Sequence, residues 1–187
     1  EKYGLEKRCV QNIEDEVIQL GVKAVEDMII HDIKLENVDA LIVCTSINSE
    51  DKLVPIHSQM LKKLYGLGIR RGIPGFSLNS VCASFGFGLQ LAHGLLDSSS
   101  YRDVLIICMD SYSKVLDYSR HDSSSIFGDG ASASIVARKH KGPFKIEIHP
   151  EIYLRTDGEL AEFITCKPTF EFLPKTITLF HTYMSKT

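Results

Sequence analysis

Apolar residues at Ile13, Val17, Leu20, Ala24 and Met28, with Gly21, Val25 and Ile29 beside them, recur at helical spacing and predict an amphipathic helix over about 13–31. Asn12 is placed to cap it, and Glu14, Asp15 and Glu16 fill a first turn where acids suit the helix dipole. Val38 to Cys44 is a short, nearly continuous apolar run, the mark of a strand covered on both faces. A polar loop over 46–51 leads to Pro55, suited to the first position of a helix, on which Ile56, Met60 and Leu64 share a face and Gly66 is the expected stop. A strand over about 75–80 and a helix over 83–96 follow. Gly86, Gly88 and Gly94 inside that helix cost about 1 kcal/mol each against alanine, which implies close backbone packing, as in a helix buried between layers. Val104 to Cys108 reads as another buried strand, and the serine-rich segments 98–100 and 123–125 as loops. Ala131 to Ala137 and Phe144 to Ile152 alternate as strands joined by a turn at Gly142-Pro143. This order of elements indicates α/β layers on a largely parallel sheet. No internal repeat is visible, and residues 168–187 show no clean period and stay unassigned.

Bulk properties narrow the class without naming a chemistry. The 187 residues suit one domain with a sizeable core, and 44% hydrophobic with 24% charged residues is ordinary for a soluble globular protein. A net charge of −3 gives no general reason to expect nucleic acid or an anionic membrane as partner. No apolar run approaches the roughly 20 residues that span a bilayer. The start, Glu1-Lys2-Tyr3-Gly4, carries no secretory signal. Five scattered cysteines, Cys9, Cys44, Cys82, Cys108 and Cys166, show no CxxC and no metal-ligand spacing; they argue for reduced thiols in a cytoplasmic setting, and against zinc.

One of these cysteines falls where chemistry is expected. In Ser80-Val81-Cys82-Ala83-Ser84-Phe85-Gly86 a strand-like stretch leads in and a helix rich in small residues leads away. A thiol at a helix start faces unpaired N–H groups and the positive end of the dipole, which favour the reactive thiolate. The competing reading is an inert buried cysteine, a common fate of the residue.

Several segments, taken together and in order, resemble the β-ketoacyl-acyl-carrier-protein synthase III family of the thiolase-like fold. Gly4-Leu5-Glu6-Lys7-Arg8 resembles the Gly-Ile-x-x-Arg segment before the first long helix, and Val38 to Ser46 the strand ending in a Thr-Ser pair. Val81-Cys82-Ala83-Ser84-Phe85 resembles the Ala-Cys-x-Gly-Phe signature around the nucleophile. Leu116-Asp117-Tyr118 with Ile126-Phe127-Gly128-Asp129-Gly130-Ala131 resembles the stretch ending in Phe-Gly-Asp-Gly-Ala, and Thr156-Asp157-Gly158 the motif that closes the first half. The resemblance runs from residue 4 to about 167. It implies a thiolase-like, layered α/β half with a mostly parallel mixed sheet over 1–167, followed by an unassigned segment, 168–187.

The resemblance also implies roles. Cys82 is the expected nucleophile, taking an acyl group from acyl-coenzyme A as a thioester, with its backbone N–H in the oxyanion hole. Condensation with malonyl-acyl-carrier protein, in fatty acid or polyketide biosynthesis, would follow. Val54 falls where relatives place a residue capping the partner subunit's acyl pocket, and Lys2 near a basic residue of the coenzyme A site. Phe127 opens a loop that supports the nucleophile in the family. The residues themselves read there as a tight turn into a strand, using Gly128 and Gly130 for permissive backbone angles. A phosphate cradle is disfavoured, since no helix start follows. The partners implied are acyl-coenzyme A, an acyl carrier protein, and either a second copy or a chain supplying the other half; coenzyme A enters as a thioester substrate, and no cofactor or metal is expected.

The departures are equally informative. Family members are about twice this length, and the histidine and asparagine that serve decarboxylation belong to a second half whose motifs are absent here, so the chain looks like a first half without its second. Arg120-His121 stands where many relatives have Asp-Arg, and Ser84 and Ser132 replace usual glycines. None of the seven histidines is assigned as a base: His93 lies about 16 Å along the helix from Cys82, His121 falls in a charged loop, and His140 in a basic turn, Arg138-Lys139-His140-Lys141, read as a solvated hairpin tip. His149 and His181 have no recognisable setting, and His31 and His57 read as surface or helix-end residues. Three alternatives remain open: a cysteine-dependent acyltransferase or thioesterase acting without decarboxylation, a non-catalytic partner subunit, or a truncated half of a synthase.

Overall fold

The computed structural model describes residues 4–47, 54–98, 100–119, 124–139, 154–161, 164–169 and 179–184. Two compact units divide the chain: Glu16–Asp110 with Ala131–Leu154, and Glu1–Asp15 with Ser111–Gly130 and Arg155–Thr187.

The first unit is built around strand β1, Ala40–Cys44, in which every residue is buried. Strand geometry sends alternate side chains to opposite faces, and both faces are covered. Leu41 and Val43 meet helices α1, Val17–Ile30, and α2, Ile56–Leu64, through Val25, Met60 and Leu64. Ala40, Ile42 and Cys44 face helix α3, Ser84–Asp97, through Ala92 and Leu96. A fully buried aliphatic side chain contributes about 1.5–3 kcal/mol, so this strand and its neighbours anchor the layers.

Strands β2, Gly75–Leu78, and β3, Asp103–Ser111, flank β1 in parallel, with Cys44 level with Leu78 on one side and Cys108 on the other. Strand β4, Asp129–Ala137, completes the order β2-β1-β3-β4. It runs antiparallel to β3: the Arg138 N–H donates to the Arg102 carbonyl, and the Ser132 side chain meets Cys108. The sheet is therefore mixed and mostly parallel, as the order of elements predicts. Strands β5, Ile164–Thr169, and β6, Leu179–Met184, form a separate antiparallel pair in the second unit, where the sequence pattern had given no reading for β6.

Boundaries differ from the sequence reading for physical reasons. α1 starts at Val17 rather than Ile13, because residues 12–15 close a turn in which the Asp15 N–H bonds the Asn12 carbonyl, leaving Ile13 exposed. α2 does not stop at Gly66; the chain tightens through Tyr65–Leu67 and reverses at Gly68, which holds φ +93°. β2 ends at Leu78, two residues early. Of the α3 glycines, Gly88 permits close packing, since a Cβ there would lie 3.1 Å from Cys44 Sγ, and Gly86 approaches Leu154. A Cβ at Gly94 would meet nothing within 4 Å among the described residues. Among the described residues, α3 buries one stripe, Ser84, Gly88, Ala92 and Leu96, while Phe85 is exposed. The strand expected over 144–152 and the turn at Gly142-Pro143 lie outside the described residues.

Two carboxylates hold the loops at the ends of these elements. Asp39, just before β1, accepts from Arg70 at 2.7 Å and from the Arg102 N–H at 2.8 Å. Burial alone would raise its pKa, but the Arg102 N–H and charge, the Asp103 N–H and the Arg70 charge outweigh it and hold the carboxyl below its ordinary value. In the second unit, Asp129 accepts from the Gln11 N–H at 2.6 Å, from the Ser113 N–H at 2.8 Å and from the Ser113 hydroxyl, while its own N–H bonds the Cys9 carbonyl.

Replacing either carboxylate should cost roughly 1–3 kcal/mol, the penalty for unsatisfied buried donors. For Asp39→Asn the loss is pH-dependent. A depressed folded pKa contributes stability that is fully present above about pH 4 and lost as pH falls through the lower folded value. Urea unfolding at neutral pH should separate wild type from Asp39→Asn, and the two curves should converge as acid protonates Asp39. For Asp129→Ala the urea midpoint should fall at neutral pH; an unchanged midpoint would mean the carboxylate does not hold the Gln11 and Ser113 segments.

Candidate functional site

Parallel pairing brings the carboxyl ends of β1, β2 and β3 to one edge of the sheet, the place where open α/β sheets commonly bind ligands. At the end of β1, Thr45 and Ser46 turn toward β3: the Asp110 carboxylate accepts from the Ser46 N–H at 2.7 Å, from the Thr45 hydroxyl at 3.1 Å and from the Ser46 hydroxyl at 3.2 Å. This cross-strand clasp fixes the Thr-Ser pair that the sequence singles out.

Beside it, the end of β2 leads through Asn79 and Ser80 into a tight turn, Val81–Ala83, and then directly into α3. Val81 holds φ +50°, a left-handed conformation that is a true outlier for a β-branched residue and costs on the order of 1–3 kcal/mol. The Asn79 side chain accepts the Val81 N–H at 3.1 Å. The Ser84 hydroxyl accepts the Ser80 N–H at 2.8 Å and donates to the Val81 carbonyl at 2.7 Å. The Ala83 N–H closes the turn on the Ser80 carbonyl at 3.1 Å.

Cys82 rides on this turn and is exposed. It is therefore not the buried thiol of the competing reading. Among the described residues Cys44 instead is the buried thiol: the neighbouring Cys108 thiol, its burial and the Asp110 charge push its pKa up, and its S–H donates to the Ser84 carbonyl at 3.4 Å.

The other expected site residues fall as follows. Val54 is 47% exposed on the approach to α2, its carbonyl accepting from the Gln59 amide at 3.0 Å. Phe127 lies in the second unit, half-buried, its ring stacked on Tyr112 at 5.0 Å and its carbonyl accepting from Arg8. The permissive angles expected of Gly128 and Gly130 are not used, since neither has a positive φ. Gly128 is needed for close approach instead: a Cβ there would lie 3.1 Å from the Cys9 carbonyl oxygen. Lys2, Arg120, His121, His140 and His149 lie outside the described residues.

Of the remaining histidines, His181 lies in β6, level with Lys167 of β5, and the other three have local partners. His93 pairs with Asp97 one turn on, at 3.4 Å, and His31 closes on the Asp27 carbonyl at the end of α1. His57, in the first turn of α2, lies 2.7 Å from the Ser77 hydroxyl, and its burial lowers its pKa. Arg138 is exposed, and its guanidinium donates to the Leu96 and Ser98 carbonyls at the C-terminal end of α3; the rest of the turn expected over 138–141 lies largely outside the described residues. Sequence reasoning missed Asp110, Asp129 and the hydroxyl of Ser84; the family-like motifs flagged their neighbourhoods but not their bonds. Among the described residues, no group of three or more His, Cys, Asp or Glu side chains could hold a metal ion, and no helix is long and apolar enough to cross a membrane.

The model of the 3-oxoacyl-[acyl-carrier-protein (ACP)] synthase III family matches residues 76–151, which include β2 from its second residue, the Cys82 turn, α3, β3 and β4. Beta-ketoacyl-[acyl-carrier-protein] synthase III 2 of Halalkalibacterium halodurans is 30% identical over 166 residues, covering 88% of this chain and 47% of that protein. Beta-ketoacyl-[acyl-carrier-protein] synthase III of Rickettsia prowazekii is 36% identical over 118 residues, 63% of this chain and 35% of that one. Among solved structures, a 3-oxoacyl-(acyl-carrier-protein) synthase III superposes with TM-score 0.75 at 26% identity, covering 97% of this chain and 56% of its own, and the Thermus thermophilus synthase III with TM-score 0.74 at 25% identity, covering 97% and 54%. The chain spans about half the length of the curated relatives it matches. Its layered, mixed sheet is thiolase-like, and the chain belongs to the 3-oxoacyl-ACP synthase III family.

Proposed function

We propose that this chain carries the acyl-accepting part of a synthase-III-type condensing enzyme of fatty acid or polyketide biosynthesis, with Cys82 as the nucleophile. The observation that supports it is the placement of Cys82: exposed, next to a left-handed Val81, at the carboxyl end of β2 and two residues before α3. The Cys82 thiolate attacks the thioester carbonyl of acyl-coenzyme A. The carbon–sulfur bond to coenzyme A breaks, coenzyme A leaves as a thiolate that takes up a proton, and the acyl group remains on Cys82. The Cys82 backbone N–H, at the head of α3, serves the tetrahedral oxyanion.

Condensation with malonyl-acyl-carrier protein needs a histidine and an asparagine whose motifs these 187 residues do not contain. Loading is thus the step that this chain's own residues account for. Val54 and Phe127 are the proposed contributors to acyl-pocket shape and loop support. A cytoplasmic setting and a partner, either a second copy or a chain carrying the complementary half, complete the reading.

Intact mass before and after acyl-coenzyme A tests it. Wild type should gain one acyl group and Cys82→Ser none. Unmodified wild type across short and long acyl chains would remove the loading role and favour a non-catalytic partner of a complete synthase. Gain followed by spontaneous loss to water would indicate hydrolysis without condensation.

A further inference from the structure

We infer that Ser84 is a positioning residue for Cys82, a hydroxyl clasp that replaces the glycine usual at this place in the family motif. The inference rests on Cys82 being the nucleophile. Residues 79–84 carry the argument. The turn before α3 contains a β-branched residue at φ +50°, a conformation that does not persist unless its surroundings impose it. Three side-chain bonds impose it, beside the backbone bonds from the Ala83 N–H to the Ser80 carbonyl and from the Ser84 N–H to the Val81 carbonyl. Asn79 holds the Val81 N–H from one side, while the Ser84 hydroxyl holds the Ser80 N–H and the Val81 carbonyl from the other.

Ser84 therefore grips both residues that precede Cys82 in a single buried group. It is itself fixed from below, because the Cys44 thiol donates to its carbonyl and Gly88, one turn on, lets α3 descend onto Cys44 Sγ. A glycine has no side chain with which to make these bonds, and an alanine leaves the Ser80 N–H without its partner and the Val81 carbonyl with the residue 84 backbone N–H alone. Val81 then relaxes toward negative φ, and that rotation is transmitted to the next residue, Cys82. The hydroxyl touches no reacting atom; it sets the direction in which Cys82 is presented at the head of α3.

The test measures the alkylation rate of Cys82 by iodoacetamide across pH, with exposed Cys9 in the same molecule as internal standard. Ser84→Ala should lower the Cys82-to-Cys9 rate ratio by about tenfold, the shift expected for one net hydrogen bond, and displace the pH profile of Cys82 alone. General unfolding would accelerate both cysteines instead. The isosteric pair Ser84→Thr and Ser84→Val then decides the matter, since only threonine keeps the hydroxyl: a near-wild-type ratio for threonine with a lowered ratio for valine supports the clasp. Equal ratios in that pair, or a folded Ser84→Ala within twofold of wild type, would overturn it. Because alkylation needs no acyl-coenzyme A, failure of the clasp and failure of acyl loading are read separately.

Discussion

A parallel strand presents its N–H and C=O groups to neighbours on both sides and can be satisfied only when flanked and roofed. β1 meets that demand completely: β2 and β3 pair its two edges, α1 and α2 cover one face, and α3 covers the other. Because all three parallel strands point the same way, the segments leaving them are gathered at one edge. The Thr45–Ser46 turn, Asp110 and the Cys82 turn are neighbours for that reason, though they are far apart in the chain. The position of the thiol is a consequence of strand polarity before it is a consequence of any local motif.

What the chain's pattern made legible follows the same logic. β1, β3 and α2 were readable because burial on both faces, or on one helical stripe, writes a direct period into the sequence: Ile56, Met60 and Leu64 are buried as spaced. Cys82 was readable from its setting between a strand and a small-residue helix, and the family resemblance added order to scattered motifs. The start of α1 was not, because Ile13 fits the helical period while its backbone belongs to a turn. The glycines divide: Gly88 is required by contact, while Gly94 carries the same signal with no neighbour among the described residues.

The carboxylate clasps were the least legible features. Asp39 and Arg70 are 31 residues apart, and Asp129 and Gln11 are 118 apart, so no window along the chain contains both partners. Their acidic side chains look like any solvated residue until the fold assembles the donors around them. Hydroxyl clasps share this property. Ser84 stood out only as a departure from a motif, and its bonds to Ser80 and Val81 give that departure a physical content.

Asp39 and the Asp110 clasp sit at opposite ends of the same short strand, one bound to Arg70 and Arg102 and the other to Thr45 and Ser46. Five residues of strand span roughly 15 Å at about 3.3 Å per residue, beyond the range at which substitutions usually couple. The two poles of the sheet are thereby insulated from one another. Charge at the arginine end can drift through substitution while the edge carrying Cys82 keeps its geometry, and that edge can be retuned with little loss of the anchorage at the other end. The central strand acts as a spacer between a pole that secures the fold and a pole free to specialise.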